Sequence, residues 1–238
     1  MFAALAVGAP LGTALYEKGG FGAVSSAAAL APVVTLFLIA PLRTATPAHR
    51  SGPSLLSVAK RIWLPGFGAA LSSVGFGAIA TFSSLLFAGH GRTPVWLAFS
   101  AYAASLIVAR AAFGHLPDRL GGARVALWFV LIETLGLMLM WLAAGVVAAT
   151  VGAVMTGFGY ALVFPALGVE AIRRAPPESR GVAMGAYTAC LDIALGVSGP
   201  VLGAIAGRTG LSSVFLASGV VVFATAFIAA RLLRAIQH

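Results

Sequence analysis

Residues 114–124 read GHLPDRLGGAR, a short polar interruption between two long apolar runs. Pro117 and the glycine pair Gly121–Gly122 turn the chain tightly. Asp118 and Arg119 place opposite charges side by side, and Asp118 is a residue type that caps the amino terminus of a helix. On spacing alone the stretch is a well-capped turn at a membrane surface.

The runs on either side of it recur along the whole chain. Of the 238 residues 60% are apolar and 9% charged, too little charge to cover the surface of a soluble domain. The solvent for this chain is lipid. Eight apolar runs are long enough to be membrane-spanning helices, at about 1–16, 21–42, 61–87, 94–113, 125–144, 146–171, 182–206 and 213–233. They lack the alternation of a membrane barrel, so the expected fold is an all-α polytopic helical bundle. With both termini in the cytoplasm, only Lys18, Arg92 and Arg208 of the 15 Lys and Arg fall on the far side. The remaining twelve follow the positive-inside rule. Trp63, Trp96, Trp128 and Trp141 fall near span ends, where amphipathic rings prefer the interface. The net charge of +9 therefore reads as topology, and nucleic acid is not an expected partner. Cys190 stands alone inside a span and forms no internal disulfide.

Gly114, Leu116, Asp118, Arg119, Gly121 and Arg124 resemble the G-x-L-x-D-R-x-G-R-[KR] signature of the major facilitator superfamily. In that family the signature lies between helices 2 and 3 and recurs, weakened, between helices 8 and 9. Gly122-Ala123 stand where the family has a basic pair, a departure typical of the 8–9 copy. Residues 173–203, RRAPPESRGVAMGAYTACLDIALGVSGPVLG, resemble the loop before helix 11 and that helix itself. Together with FPALGVEAIRR the chain resembles an incompletely characterised bacterial inner-membrane group, some of whose members are labelled sugar or arabinose transporters.

A second pattern lies in the residues themselves. Gly8, Leu11, Gly12 and Gly19 match Gly199, Leu202, Gly203 and Gly210 at the constant offset 199 − 8 = 191. Facilitators consist of two six-helix halves in which helix 11 is the counterpart of helix 5. The opening segment then reads as helix 5, residues 1–42 as helices 5 and 6 of the first half, 43–60 as the central cytoplasmic linker, and 61–238 as helices 7–12. Helices 1–4 are expected to precede this chain. The implied activity is secondary transport of a small solute (sugar, drug or metabolite) by alternating access within the bilayer of a bacterial inner membrane, coupled to protons. GAPLG at residues 8–12 loosely resembles the family's antiporter motif and favours export. The alternative is a membrane fragment or partner-dependent subunit without transport of its own.

Three groups of residues are candidates for function. By the resemblance, Arg119 of the signature loop latches onto an acid at the cytoplasmic end of the sixth span, where Glu170 stands; the plainer reading pairs Glu170 with Arg173 or Arg174 of its own helix. Glu133 lies about eight residues, roughly 12 Å, into its span, and Asp192 about ten residues into another. Unpaired in hydrocarbon either acid costs several kcal/mol, so each is a candidate proton site or a structural acid paired with a neighbour such as Arg110. Tyr160 and Tyr187, with Phe164 and Thr188, are candidate cavity residues. Gly8 and Gly12, and Gly199, Gly203 and Gly207, have the small-xxx-small spacing of closely packed helices, while Pro65, Pro165 and Pro200 are set to kink theirs. No His, Asp, Glu or Cys cluster has metal-ligand spacing, and no P-loop or nucleophile elbow occurs. Neither an enzyme, a cofactor nor a metal is expected.

Overall fold

The computed structural model describes residues 2–39, 55–91 and 94–235. Buried in lipid, each backbone polar group needs a partner within its own segment, and these apolar runs form helices for that reason. The elements are α1 (Phe2–Ile39), α2 (Leu55–Gly89), α3 (Leu97–Phe113), the short α4 (Leu116–Leu120), α5 (Gly122–Leu142), α6 (Val146–Arg174), a 3-10 turn (Pro177–Ser179), α7 (Arg180–Thr209) and α8 (Leu211–Arg234). Among the described residues there is no strand, and the chain is an all-α membrane bundle. The last six apolar runs each coincide with a helix to within a few residues.

The number of spans differs from expectation. Among the described residues six helical stretches are long and apolar enough to cross a bilayer, so the expected eight are not all matched. α3 has 17 residues, and the two opening runs are two helical stretches that meet at a break at Gly20 within Phe2–Ile39, labelled α1. That break has φ 63° and ψ −161°, a backbone that only glycine adopts without strain. Gly210, between α7 and α8, has φ 92° and ψ 162°. The two breaks thus share a conformation, and Gly20 is one residue past Gly19, the partner of Gly210 in the internal repeat. Of the expected linker, residues 43–54 lie outside the described residues, and Leu55–Lys60 already belong to α2.

α6 runs through the centre, packed on α5, α3 and α2; α8 packs on α5 and α2, α7 on α2, and α1 on α3. The closest approach is between α5 and α6, because glycines remove the side chains that would separate them. A Cβ on Gly136 would lie 2.5 Å from the Thr156 nitrogen, and one on Gly152 would lie 2.8 Å from the Gly136 carbonyl. One on Gly159 would collide with the backbone of Phe129 and Glu133. Side-chain hydrogen bonds then join further pairs. Ser105 donates to the Val154 carbonyl (2.8 Å), Thr225 to the Gly68 carbonyl (3.2 Å) and the Tyr187 hydroxyl to the Phe164 carbonyl.

The repeat glycines take no part in this packing. A Cβ on Gly8, Gly12, Gly199, Gly203 or Gly207 would meet no atom within 4 Å. Their spacing defines a face, but the residues that α7 buries are Ala183, Tyr187, Ser198 and Leu202. Within this chain the close contacts belong instead to Gly136, Gly152, Gly157 and Gly159.

The two kinds of glycine predict opposite outcomes. Gly159→Ala should destabilise the bundle by about 1–3 kcal/mol through overpacking. Gly203→Ala should change stability by less than about 0.5 kcal/mol. Unfolding in detergent, followed by tryptophan fluorescence, reads both.

Candidate functional site

The signature loop sits where α3, α5 and α6 meet. α3 closes with the Gly114 N–H donating to the Arg110 carbonyl at 3.0 Å. α4 follows, with Pro117 buried beneath it and Asp118 and Arg119 exposed on it. Gly121 turns the chain at φ 87° into α5. Gly122 comes next because a Cβ there would strike the Ala166 carbonyl of α6, and Arg124 is exposed beyond it.

Glu170 of α6 is only 2% exposed, although it stands at the end of its helix. Its Oε1 accepts from the Ala123 N–H at 3.3 Å, and its carboxylate lies 3.8 Å from both the Arg173 and the Arg174 Nη1. An acid from α6 thus satisfies a free N–H in the first turn of α5, where the helix dipole also favours negative charge. Its ion pairs are with its own helix, and Arg119 stands apart on α4 in this conformation. The carboxylate fastens the first turn of α5 to the last turns of α6.

Deeper in the bundle, the structure brings Glu133, Tyr160 and Arg110 into one neighbourhood and adds two residues that sequence reasoning missed, Ser72 and Tyr102. Glu133 is wholly buried. Its Oε2 accepts the Ser72 hydroxyl of α2 at 2.7 Å, while its Oε1 has no hydrogen-bond partner among the described residues. Gly75, one helical turn from Ser72, leaves space for that second oxygen, since a Cβ there would lie 2.8 Å from it. Tyr102 of α3 and Tyr160 of α6 are within electrostatic reach of the carboxyl, and Arg110, half-buried, within reach of Tyr160. The Phe76 ring ties the tyrosines together, 6.0 Å from Tyr102 and 5.7 Å from Tyr160. The Tyr102 hydroxyl is also buried without a hydrogen-bond partner among the described residues. Each such orphan costs about 1–3 kcal/mol.

The other two candidates lie elsewhere. Tyr187 is buried against Phe164, with ring centroids 5.0 Å apart, and faces Tyr160 from the α7 side. Asp192 is exposed on the outer face of α7. Beside it, α2 and α7 border an apolar groove of about 740 Å³, lined by Trp63, Phe67, Cys190, Ile193 and Val197 among others. Among the described residues no cluster of His, Cys, Asp or Glu is placed to hold a metal ion.

The Glu170 fastening can be dissected by substitution. Glu170→Ala, which leaves the Ala123 N–H and two arginines without their acceptor, should cost about 1–3 kcal/mol. Glu170→Gln should cost less, because the amide oxygen still accepts from Ala123. Equal losses in detergent unfolding would contradict the N–H contact.

Residues 66–238 match the family profile described as Major Facilitator Superfamily. Over 237 residues, 100% of this chain, the sequence is 36% identical to an uncharacterised MFS-type transporter of Salmonella typhimurium (strain LT2), of which it covers 61%. Over 220 residues, 92% of the chain, it is 41% identical to uncharacterised MFS-type transporters of Burkholderia mallei (strain SAVP1) and Burkholderia pseudomallei (strain K96243), covering 54% of each. The chain therefore spans little more than half the length of the curated relatives it matches. A match over most of its residues, on an all-helical membrane bundle with the signature loop at the junction of three helices, gives one conclusion: the chain belongs to the major facilitator superfamily.

Proposed function

We propose that this chain forms part of a secondary active transporter that moves a small solute across the bacterial inner membrane by alternating access. A sugar, drug or metabolite is the expected cargo, the proton gradient the drive and export the favoured direction. The observation that carries this reading is the wholly buried Glu133, an ionisable group in the interior of a lipid-embedded bundle. Such a residue is a functional site by default, because hydrocarbon penalises it unless a role retains it. Asp192 is the second acid for coupling, exposed beside the apolar groove between α2 and α7. Both termini are assigned to the cytoplasm on the distribution of Lys and Arg. In alternating access, substrate binds near the midplane between two helix bundles that rock about it, and residues 61–238 supply one of them.

A second reading, a partner-dependent fragment without transport of its own, is favoured by a specific observation. The chain covers 54–61% of the relatives above, and α1 and α7 bury little of their apolar surface against the rest.

Reconstitution into proteoliposomes separates the two. Under an imposed pH gradient and with a panel of solutes, the chain should accumulate its substrate. Glu133→Gln should abolish gradient-driven accumulation while leaving solute counterflow. Accumulation by Glu133→Gln at the parent rate would reject proton coupling through this acid. Transport that appears only when four preceding helices from a relative are co-expressed would favour the fragment.

A further inference from the structure

The two oxygens of Glu133 have different surroundings, and both surroundings are built by one neighbouring helix. Ser72 and Gly75 are three residues apart on α2, hence on the same helical face. The first donates a hydrogen bond to Oε2 and the second gives the space in which Oε1 sits. The same Cβ on Gly75 would lie 3.2 Å from Leu137 of α5 and from Val222 of α8, so apolar side chains border this space. The titratable groups facing the carboxyl are Tyr102 from α3 and Tyr160 from α6. Arg110, the charged group of this neighbourhood, acts on Tyr160.

We propose that Ser72 and Gly75 form a two-point seat that makes Oε1 of Glu133 the oxygen that gains and loses a proton, and so makes α2 the helix that senses it. This inference rests on the reading of Glu133 as a protonation site. Ser72 keeps its own proton and holds Oε2 as the acceptor. On loading, a hydronium ion gives its proton to Oε1, one O–H bond forms there and a water molecule is released. On unloading the same bond breaks and water takes the proton. In the loaded form the carbonyl oxygen is Oε2, still bonded to Ser72. Because α5 is locked to α6 by glycines, the movable partner in the Ser72–Glu133 contact is α2, which also borders the groove with α7. Ser72 and Gly75 are thus positioning residues. They act on the proton through Glu133.

Infrared spectroscopy tests the assignment on the purified full chain in proteoliposomes, independently of transport. The protonated carboxyl band of Glu133 is identified by its loss in Glu133→Gln. A carbonyl that accepts a hydrogen bond absorbs at lower wavenumber than a free one. Ser72→Ala should therefore shift the band upward, and Ser72→Thr, which keeps the hydroxyl, should restore it. Gly75→Ala should displace the band as well, by crowding Oε1. Circular dichroism and fluorescence melts show which variants are folded, and the Ser72→Thr rescue stands even if Gly75→Ala is not. A band that stays in place in Ser72→Ala would overturn the seat, because the carbonyl would then be the oxygen without a partner. If instead the band obeys this pattern while Glu133→Gln transports normally, the seat stands and proton coupling through Glu133 falls.

Discussion

The close approach of α5 and α6 is the contact on which the rest of this structure depends. In a bilayer apolar side chains gain little by leaving lipid for one another, so helices associate through van der Waals contact and hydrogen bonds. Gly136, Gly152 and Gly159 let the two backbones meet directly, and Glu170 fastens the same pair at one end through the Ala123 N–H. α8 and α3 then pack on either side of this pair, and α2 completes the enclosure.

That crossing also explains how an acid is tolerated inside the bundle. Gly159 lies against the backbone of Glu133 itself, so the glycine that brings α6 close also fixes the origin of the carboxyl. From there the side chain has one hydrogen-bond partner among the described residues, Ser72 of α2. Packing, polar satisfaction and the proposed chemistry are therefore linked at one residue. A wider crossing would move the carboxyl off its donor, leaving a buried group whose lost hydrogen bond lipid cannot replace.

Sequence made the membrane class, the positions of the last six helices and the turn at 114–124 legible, because long apolar runs, charge asymmetry and Gly-Pro punctuation are all local signals. The internal repeat was legible too, and the matching breaks at Gly20 and Gly210 are its backbone counterpart. Rotation about each helix axis was not legible. A helix that is apolar all round carries no stripe to show which side faces protein. For that reason the spacing pointed to Gly199, Gly203 and Gly207 and not to Gly152 and Gly159, and it did not separate the exposed Asp192 from the buried Glu133. Ser72 left no mark in a run of small residues, since its role depends on an acid 61 positions away.

The central claim is that the α5–α6 crossing delivers the Glu133 carboxyl to Ser72, and a double-mutant cycle between Gly159→Ala and Ser72→Ala tests it most directly. Unfolding free energies of the parent, both single variants and the double variant are compared in one detergent. If the crossing positions the carboxyl, Ser72→Ala should cost about 1 kcal/mol in the parent and almost nothing once Gly159→Ala has opened the crossing. Losses that add to within about 0.3 kcal/mol would contradict the account, because the hydrogen bond would then be indifferent to how closely the two helices meet.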